Sequence, residues 1–140
     1  MAKTIDMQFM RYINLFERFS KVSTTDCFVY NNILFFAVPR LKVSQAIGNN
    51  GANIRNLQEI LRRRVKIIEM PATNKGIRKF IEDLISPIEV NNIEVIGKEV
   101  VISAAMQSRA MLIGRDRVRE KELSEILNKS FGIEKVRICQ

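Results

Sequence analysis

The sequence predicts an α+β fold, a two-layer α/β arrangement built from two copies of one small module. Three observations carry this. First, the chain repeats itself at an offset of 66: Ile47, Gly48, Leu57, Glu59, Ile60 and Leu61 match Ile113, Gly114, Leu123, Glu125, Ile126 and Leu127, six identities in the fifteen positions from 47 to 61. Second, the hydrophobic periodicity switches between 3.6 and 2 in the same order in both halves. Third, 140 residues is one ordinary domain or two very small ones, and each repeat alone is small for a stable core. Two modules, 1–71 and 72–140, follow, each in the order helix–strand–strand–helix–helix–strand. The connection around Pro71 to Asn74 is too short for a free linker, so the modules are expected to pack on one another.

Met7 to Phe19 reads as a helix, because Phe9, Ile13 and Phe16 recur at helical spacing, as do Tyr12, Phe16 and Phe19. Thr4 or Asp6 would cap it. Asp26 to Val38 reads as a hairpin: Cys27 to Tyr30 are β-formers, Asn31-Asn32 tolerate the positive φ of a tight turn, and Ile33 to Val38 is apolar throughout. Pro39 ends the second strand. Lys42 to Ile47 is a short helix. Gly48-Asn49-Asn50-Gly51 follows, then a helix of about three turns with Ile54, Leu57, Ile60 and Leu61 on one face. Val65 to Met70, with Lys66 and Glu69 outward, is the third strand.

The second module repeats this plan. Lys75 to Ser86 is a helix with Ile77, Phe80, Ile81, Leu84 and Ile85 as its stripe. Ile88 to Ile96 and Glu99 to Ala104 are strands around a Gly97-Lys98 turn. Ser108 to Ile113 is a short helix, and Gly114-Arg115-Asp116-Arg117 is the second loop. A helix through Leu123, Ile126 and Leu127 ends at Gly132, a natural C-cap. Lys135 to Ile138 is the last strand.

Composition narrows the chemistry. Histidine is absent, which removes Ser-His and Cys-His nucleophiles, His general bases and His metal ligands. Cys27 and Cys139 form neither a metal cluster nor a disulfide framework. There is no phosphate-binding loop of the G-x-x-x-x-G-K-[ST] type. Glu82-Asp83 and Glu120/Glu122 sit among neighbouring charges and read as solvated helix faces. No catalytic residue, metal or cofactor is assigned, and the expected class is not an enzyme. No apolar run approaches a membrane span, and the charged start lacks a secretory signal. A cytoplasmic, non-membrane protein is the expectation.

The charge is concentrated. The net charge is +8, of which residues 1–70 carry +6 and 71–140 carry +2. Arg40, Lys42, Arg55, Arg62, Arg63, Arg64 and Lys66 face a single acid, Glu59, within one stretch. Such a balance points to an anionic partner, most often nucleic acid.

The glycine loop lies inside that stretch. Glycines permit positive φ and admit another backbone closely, because no Cβ intervenes. The loop also precedes a helix N-terminus, whose open N–H groups and dipole favour phosphate. Asn49 and Asn50 add amide donors, and Arg40, Lys42 and Arg55 supply attraction. With Ala46-Ile47 before it, Asn53-Ile54-x-x-Leu57 after it and the strands around it, the loop resembles the KH signature, whose GxxG clamps four nucleotides of a single strand. The hairpin ahead of the loop and one strand after it resemble the type II arrangement, which implies in each module a three-stranded mixed sheet covered by helices.

Two tandem type II KH modules resemble, over essentially the full chain, the archaeal NusA-like transcription factors. Tyr12-Ile13-Asn14-Leu15-Phe16-Glu17, Asp26-Cys27, Ala46-Ile47-Gly48 through Gly51, and Phe131-Gly132-Ile133 carry the match. The resemblance implies single-stranded RNA as partner, RNA polymerase as a further candidate, and a role in termination or antitermination through nascent RNA. The implied RNA-binding residues are Arg40, Lys42, Ile47, Gly48, Asn49, Asn50, Gly51, Ile54, Arg55 and Lys66, with Gly114, Arg115 and Arg117 in the second loop. Val43, Ile47, Ile54 and Ile67 are candidate groove walls.

The departures matter. The first loop lacks the usual basic residue between its glycines. The second has Arg117 where its final glycine would stand, and Asp116 would repel phosphate. Arg115, Arg117 and Arg119 reaching outward would compensate. The first module is therefore expected to be the principal clamp. Two other readings share these features: a scaffold that binds polymerase with vestigial loops, and a ribosome-assembly KH protein.

Overall fold

The structure is a computed structural model describing residues 2–24 and 26–140, with the backbone alone described for 2–6. The chain divides into two compact units, Met1–Met70 and Pro71–Gln140.

In the first unit, α1 (Ala2–Ser20) precedes the hairpin β1 (Asp26–Tyr30) and β2 (Ile33–Val38). The turn residues Asn31 (φ 51) and Asn32 (φ 66) are both left-handed, as a two-residue turn matched to strand twist requires. A 3₁₀ turn over Arg40–Lys42 leads into α2 (Val43–Ile47), a second over Asn49–Gly51 into α3 (Ala52–Leu61), and β3 (Val65–Glu69) closes the unit. The sheet order is β1-β2-β3, with β1 antiparallel and β3 parallel to β2. The helices cover one face. Phe16, Leu34, Phe36, Val38, Ala46, Leu57 and Val65 form the core, and the Phe16 and Phe36 rings stack at 4.5 Å. Side chains alternate along a strand, so Cys27, Val29 and Ile67 share that face, while Phe28, Tyr30, Ile33, Phe35, Lys66 and Ile68 lie on the other.

The second unit repeats the order: α4 (Ile77–Ile85), β4 (Asn92–Ile96), β5 (Glu99–Ser103), α5 (Met106–Ile113), a 3₁₀ turn over Arg115–Arg117, α6 (Val118–Phe131) and β6 (Lys135–Cys139). Its sheet, β4-β5-β6, has the same mixed pairing. All five residues of the α4 stripe are buried. Gly132 ends α6 in the left-handed conformation (φ 71, ψ 19), its N–H returning to Asn128.

Several expectations need correction. Helix α1 starts at Ala2, so Thr4 and Asp6 lie within it and neither is its cap. Strand β4 starts at Asn92, not Ile88, because its partner ends at Ser103, which pairs with Asn92 and accepts the Asn91 N–H. Helix α5 begins at Met106, two residues before Ser108. Ile60 is 52% exposed, although Leu57 is fully buried. At about 100° per residue, Ile54 and Leu61 fall on one side of Leu57 and Ile60 on the other, so α3 seats with Ile60 turned out. Lys66 and Glu69, both half-buried, point to opposite faces of the sheet, as an odd separation in a strand demands.

Candidate nucleic-acid interface

The first loop is a sharp break between α2 and α3. Gly48 takes φ 84 and ψ 170, a region that side-chain-bearing residues essentially do not occupy. A Cβ there would also sit 2.9 Å from Cγ and Nδ2 of Asn53 and 3.0 Å from its backbone nitrogen. Asn50 (φ 54, ψ 31) and Gly51 (φ 74, ψ 21) follow in the left-handed region. Gly48 N–H donates to Ser44 O at the end of α2, and Gly51 N–H returns to Gly48 O. Asn49 and Asn50 open the next helical turn, where backbone N–H groups have no preceding carbonyl to meet. Both side chains are exposed.

Two residues outside the candidate set hold this loop. Asn53 Nδ2 donates to Gln45 O at 3.1 Å, and Gln45 Nε2 donates to the carbonyls of Ser20 and Lys21 at 3.3 and 3.4 Å. The loop is thereby fastened through α2 to the end of α1. The signal for Asn53 was available: an amide side chain at a helix start, within reach of a broken helix end. Gln45 carried no comparable signal.

The structure brings Ile47, Gly48, Asn49, Asn50, Gly51, Ile54 and Arg55 together around this turn. Arg55 does not stand free, for its Nη1 donates to Asn50 O across the loop. Arg40 and Lys42 are exposed at the other end of α2 and form no ion pair among the described residues. Lys66 lies on the sheet face away from the helices, so alternation separates it from the loop. Of the candidate walls, Val43 and Ile67 pack against the core cluster, whereas Ile47 and Ile54 are half-buried beside the loop and outside it.

The second loop keeps the backbone of the first despite its changed sequence. Gly114 (φ 75, ψ 172) repeats Gly48, Asp116 (φ 56, ψ 28) repeats Asn50, and Arg117 (φ 61, ψ 22) repeats Gly51. An arginine is thus held left-handed, a conformation costing a side-chain-bearing residue about 1–2 kcal/mol. Arg115 and Arg117 are exposed, and Arg117 Nε lies 4.0 Å from Glu120. Arg119 does not reach outward as expected: it pairs with Glu122 at 2.5 Å, and its Cβ lies beneath Gly114, 2.8 Å from where a side chain would begin.

No helix in the described residues is long and apolar enough to cross a membrane. No group of His, Cys, Asp and Glu among them could hold a metal ion.

No protein-family model matches the chain. Named relatives do. A probable transcription termination protein NusA of Halococcus morrhuae is 26% identical, covering 99% of this chain and all of the relative. One of Methanocaldococcus jannaschii is 28% identical over 90% of this chain and 69% of its own. Among solved structures, the crystal structure of APE1850 superposes with a TM-score of 0.63 at 27% identity, covering 92% and 96% of the two chains. The chain is an α+β protein of two tandem KH-like modules, similar along its length to archaeal proteins of the NusA type.

Proposed function

We propose that this protein binds single-stranded RNA through the Gly48–Gly51 loop and acts in transcription termination or antitermination on nascent RNA. The observation that carries the reading is the first loop itself. Its two glycines hold a backbone that exposes a helix start without a Cβ in the way, inside the most basic segment of the chain. The names of the archaeal relatives support the transcriptional setting.

In this reading a phosphate sits against the backbone amides of Asn49 and Asn50, since the Gly51 and Ala52 N–H groups already donate to Gly48 O and Asn49 O. Ile47 and Ile54 offer an apolar wall to the bases. Arg40 and Lys42 draw the strand in, and Arg55 braces the loop through Asn50 O. Lys66 contributes only to the overall field. The second loop, with the same backbone but with Arg117 in the way of close approach, makes the weaker contact through Arg115 and Arg117. RNA polymerase is a further partner, and the site of action is the cytoplasm.

Fluorescence anisotropy with a short single-stranded RNA across a salt series tests this. Gly51→Asp places bulk and negative charge on the proposed backbone path. Salt-dependent binding by the wild type, lost in the variant, is the expected result. Equal, weak binding by both would overturn the reading and leave the loop as a turn in a protein-binding scaffold.

A further inference from the structure

The glycine loop accounts for one end of α3 only. At the other end, Arg62 leaves the helix in the left-handed conformation (φ 54, ψ 43), its N–H returning to Gln58 O. Arg63 and Arg64 follow, and Arg64 O accepts the Leu34 N–H, which pins the segment to the sheet. This places three consecutive arginines beside the Asn31-Asn32 turn. Together with Tyr12, Ile33 and Leu61 they line an open pocket of about 750 Å³. That volume lies within the usual range for ligand sites.

The charge in this pocket is unbalanced. Its lining contains no aspartate or glutamate. Among the described residues, none of the three arginines forms an ion pair, although the second unit pairs Arg78, Lys79, Arg117, Arg119 and Arg137 with neighbouring acids. Three like charges held adjacent repel one another, and guanidinium forks match phosphate oxygens in a bidentate fashion. A phosphate offers these side chains both the opposite charge and the acceptor geometry.

We propose that the Arg62–Arg64 pocket is a second phosphate site, which takes the backbone of the same RNA strand after it leaves the glycine loop. The proposal rests on the RNA-binding reading above. Helix α3 has ten residues and so spans about 15 Å, which separates the two sites. The four nucleotides that a GxxG loop clamps leave the second site empty, and a longer strand fills it. Glu59, on the exposed side of α3, is the one acid of this stretch that the strand must pass.

The test compares a tetranucleotide with a single strand of about ten nucleotides, using wild type, Arg63→Gln/Arg64→Gln, Arg63→Lys/Arg64→Lys and Gly51→Asp. Arg62 is left in place because it ends α3. The expected result is about tenfold weaker binding of the longer RNA by the glutamine variant. Its logarithmic salt slope should be smaller by about 1.4, and tetranucleotide binding should be unchanged. The lysine variant should keep the slope. An unchanged urea midpoint by tyrosine fluorescence shows that the unit is still folded.

Wild-type affinity and slope in the glutamine variant, with binding still lost in Gly51→Asp, would overturn the second site and leave the RNA reading standing. Such a result would favour an acidic protein surface as the occupant. Equal losses on both RNA lengths would also overturn it, since a diffuse field would then suffice. Failure of the wild type to bind either RNA would remove both proposals.

Discussion

Gly48→Ala should damage the first unit more than Gly51→Ala, although both glycines have positive φ. At Gly48 the backbone (φ 84, ψ 170) lies where a side-chain-bearing residue costs about 1–3 kcal/mol. The new Cβ would also meet Asn53 at 2.9 Å. Its amide could swing aside only by giving up the bond to Gln45 O, a loss of about 1 kcal/mol, and the Asn53 backbone nitrogen at 3.0 Å cannot move without α3. Restricting the unfolded chain returns about 0.4–1 kcal/mol. The net cost is about 1–3 kcal/mol. At Gly51 (φ 74, ψ 21) the left-handed strain is about 1–2 kcal/mol, and the new Cβ meets only Arg55 Nη1, at 3.4 Å, an ordinary contact that leaves its bond to Asn50 O in place. After the same return the net cost is about 1 kcal/mol or less. Tyr12 and Tyr30 are the two tyrosines, both in the first unit, and tryptophan is absent, so tyrosine fluorescence reports this unit alone. Urea unfolding should show a midpoint lower by about 1 M for Gly48→Ala and a smaller shift for Gly51→Ala. A Gly48→Ala protein as stable as wild type, or more stable than Gly51→Ala, would refute the reasoning.

Three further outcomes are expected. Arg117→Gly relieves left-handed strain at the cost of chain entropy and loses only a long, 4.0 Å contact with the half-buried Glu120, so calorimetry should show the second unit stabilised by about 0.5–1 kcal/mol. Asn53→Ala frees Gly48 from its brace, and should weaken RNA binding severalfold while costing about 1 kcal/mol in urea unfolding. Burial pushes the Cys27 thiol from 9.0 up to about 12, against a smaller lowering by the Arg63 cation. Below pH 9 the thiol is protonated in both states and its contribution is level; from about 9 to 12 the unfolded thiol ionises first, so stability falls as pH rises. Cys27→Ala should flatten that part of the pH–stability curve, and an unchanged slope would contradict the burial argument.

Much of this structure can be read from residue patterns. The Asn31-Asn32 turn, the α4 stripe and the Gly132 cap follow from periodicity and turn chemistry, which are local properties, whereas the mixed sheets are implied by the KH resemblance. What escaped was non-local. The start of β4 depends on where its partner β5 ends, and the exposure of Ile60 depends on how α3 seats. At the site, the bond from Arg55 to Asn50 O and the pairing of Arg119 with Glu122 are contacts that depend on how the loop folds back on its helix. Lys66 is close in sequence to the basic cluster, but strand alternation sets it on the sheet face away from the loop. The retained loop shape around Arg117 could not be anticipated either, because the residue type argues against the conformation it adopts.

The most direct test of the central claim is an amide chemical-shift titration of the whole protein with a single-stranded tetranucleotide. The largest changes should fall at Gly48 to Ala52, with smaller ones at Gly114 to Val118 and little on the sheet face that carries Lys66. Changes centred on that sheet face, with the Gly48–Gly51 amides unmoved, would contradict it.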